Sequence, residues 1–124
     1  MARVFTLRQA RALLPEVRRH ADAFTRIRAD LVELTASLRA GTSSPLGGVA
    51  EVKAAEARLD EILSWFTAQG LELKGFAPLL LDFPADLGDG PVLLCWLEGE
   101  TDLRWWHRRK VGFAGRRPLP DGLA

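Results

Sequence analysis

At Gly70 the hydrophobic pattern of this chain changes from the 3-4 spacing of a helix to the alternation of a strand, and that switch limits what the chain can fold into. Upstream, Leu14, Val17, Ala21, Phe24, Leu31 and Leu38 fall along one helical face, widened by Ile27 and Leu34 and interrupted by Arg28 and Thr35. Thr6 followed by Gln9 is a capping-box pair, so a helix starts at Leu7. Pro15 has no N–H and crowds the carbonyl four residues back, which predicts a kink or a restart and a bipartite first helix. The segment Gly41–Gly48 gathers turn-forming residues. A second helix follows from about Val49, with Val52, Leu59, Ile62, Leu63 and Phe66 on its apolar face and Gly70 as its left-handed cap. Two long helices joined by a short loop pack antiparallel.

Downstream, Leu71–Phe76 alternates, Pro78–Pro84 is a short apolar run, Pro91–Leu97 is strand-like, and Leu103–Arg109 alternates again. The expected fold is therefore α+β. A helical hairpin over residues 1–69 is followed by a β unit over 70–124, with three or four short antiparallel strands and an irregular tail. At 124 residues this is one domain, 1–124, large enough to bury a core without staples.

One cysteine, Cys95, excludes an intrachain disulfide and a multi-cysteine zinc cluster, which fits a reducing compartment. No stretch is long and apolar enough for a membrane span, so the expectation is a cytoplasmic protein with no membrane. The arginine-rich residues 1–28 have the composition of a mitochondrial presequence, but the apolar stripe runs on past any cleavage point. A formal net charge of +1 argues against a wholesale polyanion binder. Charge is blocked rather than mixed. Residues 1–39 carry eight arginines against four acids, and residues 49–69 are predominantly acidic. Residues 82–102 carry six acids and no base, whereas residues 104–117 carry six Lys and Arg and no acid. The last two blocks are candidates to face each other.

If strands 92–98 and 104–110 form a hairpin around Gly99–Leu103, a register pairing Glu98 with Arg104 sets Cys95 opposite His107 and Trp96 opposite Trp106. Cys95, Leu97, Trp105 and His107 then share one face. A cysteine beside a histidine reads either as a nucleophile–base pair or half a metal site, with Asp82, Glu98 or Glu100 as further ligands, or as a small buried apolar residue next to a histidine bonded to a carbonyl. Trp105 and Trp106 must point opposite ways. Beside Arg108, Arg109, Lys110, Arg116 and Arg117 these rings suit stacking on nucleic-acid bases; the alternative is that the basic block pairs with the acidic one. Gly112–Arg117 has neither phosphate-loop spacing nor a dinucleotide fingerprint and reads first as a turn; Arg116, with Trp106, is a candidate for an anion or ligand pocket.

Taken in order, Phe5-Thr-Leu with Leu13-Leu-Pro15, Gly70-Leu-Glu-Leu-Lys74, Leu81-Asp-Phe-Pro84, Leu94-Cys-Trp96, Gly99-Glu100, Trp106-His107 and Gly112-Phe-Ala-Gly-Arg116 resemble the bacterial family known as domain of unknown function 2203. The resemblance spans nearly the whole chain and implies a single-domain bacterial protein, with no catalytic assignment. It concentrates polar motif residues at Asp82, Cys95, Glu100, His107 and Arg116. An acidic residue often follows the Trp-His pair in that family; Arg108 stands there in this chain, which weakens that position as a ligand.

The leading expectation is a homodimeric binding or interaction module, associated through the hairpin, with a polar pocket in the β unit lined by Asp82, Cys95, Glu100, His107 and Arg116. The alternative is a metalloprotein or enzyme in which Cys95, His107, Asp82 and Glu100 hold a divalent transition metal such as zinc; a third is nucleic-acid binding through residues 104–117.

Overall fold

The computed structural model describes residues 3–120. Helix α1 spans Leu7–Ala40 and α2 spans Val49–Ala68. They are followed by strands β1 (Glu72–Phe76), β2 (Leu79–Asp86), β3 (Pro91–Leu97), β4 (Trp105–His107) and β5 (Arg117–Pro118) in one antiparallel sheet of order β1-β2-β3-β4-β5. The α+β hairpin-then-sheet architecture is as expected, but the sheet has five strands. The tail residues Arg117 and Pro118, read as irregular, pair with Trp106 and Trp105, and the Leu119 N–H extends that pairing to the Arg104 carbonyl at 2.7 Å.

The start of α1 is fixed by its own sequence. The Thr6 hydroxyl accepts from the Gln9 N–H at 3.1 Å, and the Gln9 side chain accepts from the Thr6 N–H at 3.0 Å. Gly41, at φ 69°, ends the helix in the left-handed region. Contrary to the expected restart, α1 runs unbroken through Pro15. A proline inside a helix costs about 3 kcal/mol, and the residues around it offset that, because Leu14, Val17, Ala21 and Phe24 are all buried against α2 and the sheet. Burial thins along the second half of α1: Leu31 is half-buried, Leu34 is the last buried residue and Leu38 is exposed.

Period-two alternation sorts the strands. Leu79, Leu81, Phe83 and Ala85 of β2, Val92, Leu94 and Trp96 of β3 and Trp106 of β4 join the core beneath the helices. Phe5 leads into α1 beside this core, its N–H on the Pro84 carbonyl at 2.7 Å and its ring edge-on to Phe83. Because a strand residue's N–H and C=O point the same way, the N–H that Pro84 lacks would also have faced away from β3, so the proline breaks no bond of the β2–β3 ladder.

The opposite sheet face carries Asp82, Leu93, Cys95, Trp105 and His107. No helix covers it. Residues 108–116, between β4 and β5, return over this face as a strap. The Arg109 guanidinium donates to both carboxylate oxygens of Glu72 at 2.9 and 2.8 Å. Arg116 donates to the Glu100 carboxylate at 2.8 Å and lies over the rings of Trp105 and Phe113, 4.8 Å from each centroid. Acidic and basic blocks thus meet as the charge pattern suggested, through Glu100–Arg116 and Asp102–Arg104.

The β3–β4 register differs from the one read from sequence. Cys95 pairs with Trp105, Leu94 with Trp106 and Leu93 with His107, a slip of two residues. Glu98 does not meet Arg104, because its carboxylate takes both Arg28 amino groups at 2.8 and 2.7 Å and the Leu79 N–H at 2.8 Å. The Leu97 N–H, which a longer hairpin ladder would have used, donates instead to the Glu100 side chain at 2.7 Å. A slip of two keeps side-chain parity, so Cys95 and His107 still share a face although they are not directly opposite.

Candidate metal centre

Three adjacent strands each contribute one chemically competent side chain to the face under the strap. Asp82 on β2 is the direct cross-strand partner of Cys95 on β3. His107 on β4 lies diagonally across from Cys95, two residues from its partner Trp105. One carboxylate oxygen, the thiol sulfur and one imidazole nitrogen all lie within 4.8 Å of one another. Asp82, Cys95 and His107 are 1 %, 0 % and 2 % exposed, so the group is closed rather than the lining of an open pocket.

Hydrogen bonding fixes the tautomer of His107. Its Nδ1 lies 2.9 Å from the Arg108 carbonyl, which can only accept, so Nδ1 carries the proton. In the neutral ring, Nε2 then presents a lone pair to Asp82 Oδ2 at 3.1 Å. Two acceptors cannot face each other at that distance without a positive centre between them, which is either a proton or a cation. The other carboxylate oxygen, Asp82 Oδ1, is buried with no hydrogen-bond partner, and an orphaned buried acceptor costs about 1–3 kcal/mol.

Burial raises the Asp82 carboxyl above its ordinary range, and the neighbouring His107 only partly offsets this. Burial, followed by the adjacent Asp82 charge, pushes the Cys95 thiol up to about 12, against the pull of Arg116. A thiol held protonated and sealed from solvent is a poor nucleophile. As a metal ligand it binds as the thiolate, the ion displacing its proton to solvent.

The remaining sequence-derived candidates lie apart from this trio. Glu100 sits in the β3–β4 turn with its carboxylate on Arg116 and the Leu97 N–H. Arg116 donates to the Cys95 carbonyl at 3.2 Å, and its charge also acts on the Cys95 thiol. Trp106 faces the helices on the other side of the sheet, with Arg108 5.5 Å from its ring centroid, so Arg116 and Trp106 do not share a pocket. The aromatic that accompanies Arg116 is Trp105. Within the basic segment, Arg104, His107, Arg109 and Arg116 are all matched to acids. Sequence reasoning missed the anchors Glu72–Arg109 and Glu98–Arg28, which join residues 37 and 70 positions apart and leave no local signal.

The family model for an uncharacterized conserved protein, DUF2203, matches residues 3–119. No curated protein and no solved structure matches the chain. Among the described residues, no helix is long and apolar enough to cross a membrane.

Proposed function

The chain belongs to the DUF2203 family of uncharacterized conserved proteins, and we propose that this member is a metal-binding protein in which Asp82, Cys95 and His107 hold one divalent transition metal, zinc fitting best. The observation that carries the reading is the buried N, O and S donor set. Its imidazole is already held by a backbone carbonyl, the arrangement usual for a metal-ligating histidine. A mixed imidazole, carboxylate and thiolate set suits zinc, which accepts all three donor types in a four-coordinate site. The unpartnered Asp82 Oδ1 offers the fourth donor atom from the same carboxylate. Burial favours a structural or sensing role for the ion over turnover of a substrate. A single thiol ligand also fits the cytoplasm, where thiols stay reduced.

The test is elemental analysis of untagged protein, with cobalt substitution as a spectroscopic check. One equivalent of zinc and a cobalt–thiolate charge-transfer band, both lost in Cys95→Ser and His107→Ala, are expected. Protein that retains no stoichiometric metal and shows no such band would overturn the reading.

Association of two copies through the hairpin is a second reading, supported by Val32, Leu38 and Val49, which stand exposed toward the loop end of the hairpin. Light scattering after size exclusion that returns a monomer at micromolar concentration would remove it.

A further inference from the structure

Each member of the trio lies next to one anchor of the strap. His107 binds the carbonyl of Arg108, the first strap residue, at 2.9 Å. The Cys95 carbonyl accepts from Arg116, the last strap residue, at 3.2 Å. Glu72, the cross-strand partner of Asp82, accepts both hydrogen bonds from Arg109. Away from these anchors Lys110, Val111, Phe113 and Ala114 are exposed. Because the trio is sealed, an ion can enter or leave only if some of the surrounding structure moves, and the strap is the exposed segment tied beside all three members.

We propose that metal occupancy of the Asp82–Cys95–His107 site locks the strap onto the sheet, so that residues 108–116 are a metal-dependent closure. The inference rests on the metal-binding reading above. An ion drawing the three side chains together also fixes the groups to which the strap is tied. By reciprocity, a strap docked by its own anchors slows the loss of the ion.

The strap carries its own reporters, since Arg108, Arg109 and Lys110 are exposed trypsin sites, whereas Lys53 and Arg58 on α2 provide exposed control sites remote from it. The experiment is limited trypsin digestion of the full chain, zinc-loaded and chelator-stripped, with cut sites mapped by mass spectrometry and bound zinc measured on the same samples. Loading is expected to slow cleavage at the strap sites about tenfold, within the usual range of coupling between sites, and to leave Lys53 and Arg58 unchanged. In Arg109→Gln, which breaks the Glu72 anchor and contacts no ligand, zinc is expected to pass to a chelator several-fold faster. Stoichiometric zinc with equal strap cleavage in both samples, or with all sites protected alike, would overturn the closure and leave metal binding standing. Failure to retain zinc would overturn both.

Discussion

Glu72 and Asp82 are direct neighbours on adjacent strands, yet their surroundings drive the two carboxyl groups in opposite directions. The Arg109 guanidinium, with Lys74 beside it, holds Glu72 down at about 2. Burial lifts Asp82. One carboxylate is therefore a fixed charge that anchors the strap, while its neighbour is a group for which ionisation is costly without a cation.

For Glu72 the folded state has the lower pKa, so its contribution to stability is fully present above the ordinary carboxylate pKa of about 4.5 and is lost as the pH falls toward about 2. Arg109 is largely exposed, which limits the pair to about 1 kcal/mol or less. Chemical denaturation of the native chain and Glu72→Gln across this range is expected to give a stability gap that closes with acid. A gap that stays constant with pH would mean that Glu72 is not held by charge.

Asp82→Asn separates folding from metal binding. An asparagine amide can donate to the His107 Nε2 lone pair, so the neutral ring and the buried side chain both gain a satisfied partner without a proton or an ion. Metal-free stability is expected to stay within about 1 kcal/mol of the native chain or to rise, because removing an awkward buried charge is often neutral or favourable. Zinc retention is expected to be lost. Urea melts of the stripped proteins, with metal analysis of the loaded ones, check both halves.

Glu98 ties the β1–β2 turn to α1, accepting from both Arg28 amino groups and from the N–H of fully buried Leu79. Glu98→Ala strands that N–H and leaves Arg28 only the Phe76 carbonyl and the Phe24 ring, a loss of about 2–3 kcal/mol in urea melts. Glu98→Gln keeps an acceptor for Leu79 and is expected to lose less than half of that. Equal losses would place the effect in the ion pair alone.

What was legible in the sequence follows from the range of the forces involved. The capping box at Thr6 and Gln9 and the apolar faces of both helices are local, and they appear where the residues put them. Strand parity is local too, so Cys95 and His107 could be assigned to one face. Register is not local. It depended on Glu98 leaving its strand for Arg28 and on Glu100 capturing the Leu97 N–H, choices that no alternation pattern encodes. The same gap left Asp82 and Glu100 as equal candidates for the carboxylate, and the β2–β3 pairing separates them by setting Asp82 beside Cys95. Pro15 reads as a break when only its own turn is considered, whereas the burial of Leu14 and Val17 around it keeps α1 continuous.

Zinc affinity should rise with pH because the ion must displace a proton that the empty site holds firmly. The Cys95 thiol, pushed up to about 12, is protonated at neutral pH and must lose that proton to bind the ion. Each displaced proton makes the apparent affinity climb about tenfold per pH unit below the pKa of the group that loses it. A slope of about one decade per unit, from the thiol proton, is expected from chelator competition between about pH 6 and about pH 8. Cys95→Ser should bind more weakly and with a shallower slope, since its hydroxyl remains protonated as a ligand. A pH-independent affinity in the native chain would show that the thiol stays protonated and is not a ligand.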